Sequence, residues 1–152
     1  FGKEFGEIKT KEIVLSGGTF KNSKEVESYI DAIHNRIAEV GFDEKDAKYL
    51  VYNYGKQTDE ILKTFDALSE ENQEKKLIKA EVLFCVENEM TCTPTDFFMR
   101  RTGRLFFNKP SVDLHKDYVL QLFENQFSWD KKTSEAHQQE LEEKLKIATT
   151  FK

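Results

Sequence analysis

Apolar residues recur at steps of three and four along most of this 152-residue chain, the spacing that gives a helix one apolar face. The pattern begins after Ser23, which is a good helix N-cap, and continues through Val26, Ile30, Ile33 and Ile37. Only seven glycines and two prolines interrupt the chain, which favours long helices over short strands joined by turns. We therefore predict an all-α fold, an irregular bundle of about six or seven helices.

Further helices follow the first one. Asp43 is placed to cap a second helix, and Thr58 begins a third. The most apolar helix covers residues 77–90, so we expect it to lie centrally. The remaining predicted helices are a short one from Thr93, an amphipathic one over residues 111–127, and a charged surface helix over residues 130–151.

The first 22 residues differ from the rest. Ile13, Val14 and Leu15 form a brief apolar run that ends at the turn signal Ser16-Gly17-Gly18. We predict an extended N-terminal arm or linker over residues 1–22 and a helical domain over residues 23–152. Because the chain opens on Phe1 rather than Met, we expect it to be a fragment of something longer.

Charge and cysteine usage exclude several classes of protein. The net charge is −5, whereas nucleic-acid binders usually carry a basic excess, so no nucleic-acid partner is expected. If Cys85 and Cys92 share one helix, about 10 Å separates them, beyond disulfide reach. They are interpreted as reduced thiols, Cys85 in the core, and no metal site is expected. No apolar run approaches the roughly 20 residues of a membrane span, and no leader resembles a signal peptide, so a cytoplasmic location is expected.

Residues 88–107, NEMTCTPTDFFMRRTGRLFF, contain the signals for starting and stopping a short helix. Thr93 can cap it, Pro94 suits its first position, and Asp96 stands where the acid of a capping box belongs. Gly103 permits the left-handed turn that ends a helix. The arginines of this segment therefore fall in the last helical turn.

Two interpretations of these arginines remain open. In the first, they stabilise the helix end and pair with neighbouring carboxylates. The residues involved are Arg100, Arg101, Arg104, Glu87, Glu89 and Asp96. In the second, one arginine holds an anion with its planar fork of donors. Adjacent helical residues point about 100° apart, so Arg100 and Arg101 cannot both face one small ligand.

Other candidate sites are weaker. His34, His115 and His137 fall on different predicted helices and are interpreted as surface residues. No nucleophile–base pair is visible, and neither GxGxxG nor GxxxxGK[ST] occurs. We therefore predict no catalytic, cofactor-binding or metal-binding residue in this chain.

The segment AEVLFCVENEMTCTPTDFFMRRTGRLFF, residues 80–107, resembles the C-terminal helical domain of FAD-dependent glycerol-3-phosphate dehydrogenases and glycerophosphate oxidases. The upstream segment KTKEIVLSGGTF is similar to the exit of the flavin domain in such enzymes, and the resemblance covers nearly the whole chain. The features that carry it are Asn88-Glu89-Met90, the helix start from Thr93 to Asp96, Arg100-Arg101-Thr102, Arg104, and Tyr54-Gly55.

The resemblance implies a larger enzyme. The GxGxxG motif and the catalytic residues of the family belong to an FAD domain that is missing here, so this chain alone is expected to bind no cofactor, and its status as an enzyme stays open. The parent is expected to oxidise sn-glycerol 3-phosphate to glycerone phosphate and to pass electrons through FAD to quinone. The alternatives are an oxidase that uses oxygen, or a helical module that binds protein or nucleic acid.

The same resemblance implies the partners. They are the FAD catalytic domain of the same polypeptide and a second copy in a homodimer, with the parent peripheral at the inner face of the cell membrane. The role left for this chain is a helical cap on the catalytic body. We expect residues 93–102 to lie at that domain interface. The candidate interface or structural ion-pair residues are Glu89, Asp96, Arg100, Arg101 and Arg104, with Glu89 paired to Arg100 or Arg101.

Overall fold

The computed structural model describes residues 13–150, and every regular element among them is helical. The α-helices are α1 (Ser23–Ala38), α2 (Glu44–Tyr54), α3 (Thr58–Ala67), α4 (Gln73–Glu89), α5 (Pro94–Asp96), α6 (Arg104–Phe107), α7 (Lys109–Phe127) and α8 (Lys131–Thr149). A 3-10 turn, Gly55–Gln57, follows α2, and a π-helical turn, Phe97–Arg101, follows α5. The all-α prediction is confirmed. Residues 1–12 of the predicted arm, and Phe151 in the last predicted helix, lie outside the described residues.

Short polar side chains cap most of these helices, because the first amides of a helix have no acceptor within it. Asn22 accepts from the amide of Glu25, so the predicted cap Ser23 is wrong by one residue. Both residue types cap well, and their adjacency hides which one is used. Asp43 caps α2 as predicted, in a capping box with Asp46. The caps of α4, α5, α7 and α8 are Asn72, Thr93, Asn108 and Asp130.

The described residues form two compact units, which divide between Thr58 and Asp59. In the first unit, α1 packs against α2 through buried aliphatic side chains, each of which stabilises the unit by about 1.5–3 kcal/mol. They include Ile30, Ile33, Ile37, Leu50 and Val51. The boundary between arm and domain at residue 22 stays a prediction.

Gly17, in the segment predicted to be an arm, is held against the end of α2 by a close backbone contact that we name the arm clasp, formed by Gly17, Gly55 and Lys56. The amide of Lys56 donates to the carbonyl of Gly17 at 3.0 Å. A Cβ atom on Gly55 would lie 2.1 Å from that same carbonyl oxygen. Gly55 also has a φ of +55°, which side-chain-bearing residues rarely adopt. The contact therefore requires glycine at position 55.

The side chain of Lys56 reinforces the arm clasp. Its ammonium lies 4.6 Å from the ring centroid of Phe20 and 4.4 Å from that of Tyr29. It also lies 3.4 Å from a carboxylate oxygen of Glu25. Cation–π contacts at partly exposed sites contribute about 0.5–1 kcal/mol each, so they help to hold residues 17–20 in place.

In the second unit, α4 carries buried side chains on several sides, as its apolar composition predicted. It packs against α7, while the short helices α5 and α6 pack against both α7 and α8. The buried residues of α4 include Leu77, Ile78, Val82, Phe84 and Cys85, so the predicted burial of Cys85 is confirmed. Within residues 13–150, no helix combines the length and the apolar composition needed to cross a membrane.

Candidate functional site

The predicted helix start at Thr93 is confirmed. The hydroxyl oxygen of Thr93 accepts a hydrogen bond from the amide of Asp96 at 3.1 Å, and Pro94 occupies the first helical position. The α-helix nevertheless ends after one turn, so the prediction of a single helix over residues 93–102 is wrong in its second half. Residues Phe97–Arg101 form a π turn, closed by a 2.9 Å hydrogen bond from the amide of Thr102 to the carbonyl of Phe97. A π turn inserts one residue relative to an α turn, which no local propensity indicated.

Arg100 and Arg101 diverge at the end of this turn. The guanidinium of Arg100 pairs with Asp96 at 2.8 Å and stays 69% exposed. The Arg101 side chain is 35% exposed, and its Nη2 donates to the backbone carbonyl of Glu89 at 2.8 Å. Its Nε lies 3.9 Å from the Glu89 carboxylate and 4.0 Å from that of Asp96. The two side chains therefore serve different partners and do not converge on one small ligand.

Arg101 acts at the C-terminal end of α4. The last carbonyls of a helix have no intrahelical donor, and the helix dipole is negative there. α4 stops because Met90 adopts a left-handed conformation with φ of +54°. Arg101 reaches back across twelve residues to supply a donor and a positive charge to this end. The contact couples the π turn to α4.

Arg104 is buried, and its ion pair is the least exposed of the segment. Its Nη2 donates to the Glu81 carboxylate at 2.5 Å, with side-chain exposures of 10% for Arg104 and 0% for Glu81. Glu81 was not among the site residues predicted from the sequence, because an acid inside an apolar helix was not singled out. A signal was present, because Glu81 stands four residues from both Leu77 and Cys85, on an apolar face of α4. An acid on such a face needs a cationic partner.

Each basic side chain of this segment lies beside a carboxylate. Arg104 is buried against Glu81, and Lys109 pairs with Asp113 at 2.5 Å. Arg100 and Arg101 each lie beside a carboxylate.

Comparison with known proteins identifies the family. Residues 8–134 match the family model described as the C-terminal domain of alpha-glycerophosphate oxidase. The chain belongs to this family. The family suspected from residues 80–107 is therefore confirmed.

Relatives of this C-terminal domain are longer proteins. The aerobic glycerol-3-phosphate dehydrogenase of Bacillus subtilis (strain 168) is 38% identical over 146 residues, which are 94% of this chain and 26% of the relative. That of Staphylococcus saprophyticus is 30% identical, over 99% of this chain and 27% of the relative. The crystal structure of glycerol-3-phosphate dehydrogenase from Bacillus halodurans, complexed with FAD, is 34% identical with a TM-score of 0.78, over 90% of this chain and 29% of that one. The chain thus spans little more than a quarter of each relative.

Outside the arginine segment, the described part of the chain offers few groups for chemistry. Within the described part of the chain, no three His, Cys, Asp or Glu residues are arranged to hold a metal ion. An open recess of about 480 Å³ lies between α7 and α8. Its lining is polar and contains none of the predicted site residues. The residues that line it are Glu124, Asn125, Ser128, Trp129, Asp130 and Lys131.

The sequence predicted that all three histidines lie on the surface, but one of them is buried. His115 on α7 is only 5% exposed, and its Nε2 lies 3.6 Å from a carboxylate oxygen of Glu74. Burial lowers its pKa; Glu74 opposes that shift, and the positive charges of Arg104 and Lys75 add to it. The prediction of a surface histidine failed because the packing of α7 against α4 is not encoded in the local sequence. His115 is therefore neutral near pH 7.

Folding stability should fall as pH decreases from 7.5 to 5.5. In the unfolded chain His115 takes up a proton near pH 6.5, whereas in the folded chain its pKa is lower. The unfolded state then binds more protons over this range, so acid favours unfolding. Urea midpoints at each pH measure the effect. His115→Gln should weaken the dependence of the urea midpoint on pH, and His34→Gln should not. Equal slopes of the midpoint against pH for the unchanged protein and both variants would contradict the assignment of this dependence to His115.

Proposed function

We propose that this chain is the C-terminal helical domain of a longer FAD-dependent glycerol-3-phosphate dehydrogenase, in which it supports the catalytic body and does not carry out the reaction. The family match over residues 8–134 carries this proposal. Relatives described as aerobic glycerol-3-phosphate dehydrogenases extend over almost the whole chain and support the choice of enzyme.

The proposed reaction is the oxidation of sn-glycerol 3-phosphate to glycerone phosphate. FAD, when bound to the rest of the polypeptide, would accept the hydride from C2 of the substrate and pass electrons on to quinone. The basic side chains of residues 88–109 each pair with a carboxylate of this chain, which suits a supporting role better than substrate binding. Quinone is a membrane substrate, so we place the parent enzyme peripherally at the inner face of the membrane, and a homodimer is part of the same proposal.

The contribution of this domain would come from residues 93–102 at the interface with the flavin domain. The π turn is held at two points: Arg101 binds the end of α4, and Thr93 caps the preceding helix. A rigid turn of this kind can transmit the position of the helical domain to a neighbouring one. Asp96 contributes by lying beside both Arg100 and Arg101.

The full-length polypeptide that contains this chain provides the test. We expect it to purify with a flavin absorption spectrum that glycerol 3-phosphate bleaches, and to reduce a soluble quinone analogue. Arg101→Ala should lower stability by about 1 kcal/mol through loss of a charged hydrogen bond, and should lower activity as well. Arg100→Ala is the matched control, since its solvent-exposed pair with Asp96 contributes little to stability.

The outcomes separate the parts of the proposal. A full-length protein that neither binds flavin nor responds to glycerol 3-phosphate would overturn the enzyme assignment. If Arg101→Ala changed neither thermal stability nor activity, the interface role of residues 93–102 would be wrong.

An oxidase is the second candidate, because the matching family model is described from alpha-glycerophosphate oxidase. An oxidase and a quinone-linked dehydrogenase share the same substrate and differ in what reoxidises the flavin. Peroxide formed stoichiometrically with glycerone phosphate in air would favour the oxidase. Slow turnover in air, accelerated by a quinone analogue, would favour the dehydrogenase.

A further inference from the structure

Large apolar side chains are exposed just after the arginine segment. Phe107 is 90% exposed and Phe106 is 54% exposed, on the short helix α6. Their ring centroids are 6.4 Å apart in an edge-on arrangement. Scattered exposed apolar residues are ordinary, but two adjacent aromatic rings facing solvent indicate a surface that meets another one. We name this pair the phenylalanine ridge.

The phenylalanine ridge stands on a rigid base. A helix of four residues has no stability of its own, so its position must come from tertiary contacts. The first residue of α6 is Arg104, buried against Glu81 of α4, and the second is Leu105, which is also buried. Both are fixed to the core, and the two rings that follow are therefore presented in one place.

Gly103 contributes to the same base. It adopts a φ of +63°, and a Cβ atom there would lie 3.3 Å from the Phe107 ring. The ring thus lies over the Gly103 backbone, close to the turn that precedes α6. Because the backbone of α6 is already fixed, docking costs mainly the side-chain entropy of the two rings.

The occupant of such a surface is indicated by the length of the relatives. The chain matches 26% of the Bacillus subtilis dehydrogenase and 29% of the Bacillus halodurans chain that contains FAD. The family model describes the matching part as a C-terminal domain, so most of each relative precedes it. A C-terminal domain of one polypeptide has that preceding part as its nearest available partner, at a high effective concentration.

We propose that the phenylalanine ridge docks this domain into an apolar recess on the preceding, flavin-binding part of the same polypeptide. The inference rests on the proposed function for the existence of that part. It adds the place of contact: Phe106 and Phe107 are the anchors, and the buried pair of Glu81 and Arg104 is the device that positions them. Arg101, which is bound to Glu89 within the domain, is not the anchor.

Thiol protection in the full-length polypeptide tests the docking. In a background in which Cys92 and any exposed cysteine of the preceding part are replaced by serine, Phe107→Cys is labelled with a maleimide under native conditions, while Cys85 is buried. Ile147→Cys on α8 is the matched control, since Ile147 is 60% exposed in this domain. We expect position 107 to react at least about tenfold more slowly than position 147, and protection to persist when the protein is diluted.

Equal labelling rates at the two positions would overturn the proposal. Protection that disappears on dilution would also overturn it, in favour of a second copy of the chain as the occupant. If Phe107→Cys does not yield folded protein, Phe106→Cys provides the same comparison. Labelling needs no turnover, so a protein that protects position 107 but does not respond to glycerol 3-phosphate would refute the proposed function and leave the docking surface intact.

Discussion

Glu81→Ala should destabilise the domain by about 3–5 kcal/mol, the usual cost of removing one partner from a buried ion pair. The Glu81 carboxylate is fully buried and lies 2.5 Å from Nη2 of Arg104. Its removal leaves the Arg104 charge in the core without the Glu81 carboxylate, and that charge already helps to lower the pKa of His115. Urea denaturation gives the free energy of unfolding. A loss below 1 kcal/mol would show that the pair is solvated and contributes little.

Two further variants make this measurement specific. Glu87→Ala removes an exposed acid from the same helix and should change stability by less than about 0.5 kcal/mol. The double variant Glu81→Leu with Arg104→Met replaces both charges by apolar groups, which often restores or raises stability in buried pairs. Full recovery would mean that the pair is retained for the position of α6 and not for stability, and thiol labelling at position 107 would then show whether that position has changed.

The second large effect is expected for Gly55→Ala, in the arm clasp. The new methyl group would lie 2.1 Å from the Gly17 carbonyl oxygen, and alanine is strained at a φ of +55°. The strain alone costs about 1–3 kcal/mol, and the clash must separate the arm from the end of α2. We expect lower stability of the first unit and rapid proteolysis within residues 16–20.

Gly41→Ala separates the two causes. Gly41 has a φ of +96° but no atom within 4 Å of its added Cβ, so it reports backbone strain without a clash. Gly55→Ala should therefore be more damaging than Gly41→Ala. Equal losses, with the arm still resistant to protease, would contradict the clasp.

Much of the fold follows from local chemistry that the sequence displays. Caps such as Asp43 and Thr93 are recognisable because an oxygen two or three residues before an amide satisfies it whatever the tertiary structure. The stripe of Ile30, Ile33 and Ile37 is buried because helical periodicity alone decides which face is apolar. The cap of α1 was predicted one residue too late because Asn22 and Ser23 can both cap a helix.

The parts that could not be predicted depend on contacts between distant residues. Glu81 and Arg104 are 23 residues apart, and neither is marked as buried until α6 is placed against α4. His115 becomes buried for a similar reason. The candidate residues Glu89, Asp96, Arg100, Arg101 and Arg104 were recognised as a group, while their division into an exposed pair, a helix-end contact and a buried pair required the structure.

The π turn makes the number of residues between α5 and α6 a constraint in its own right. Arg101 reaches the end of α4 on one side of this turn, and Arg104 reaches Glu81 on the other. A single deletion within Phe97–Arg101 would return the turn to α-helical register and rotate both arginines about the helix axis. We therefore expect related sequences to tolerate substitution of Met99 more readily than its deletion. An alignment gap within this turn would indicate a different arrangement of the two arginines.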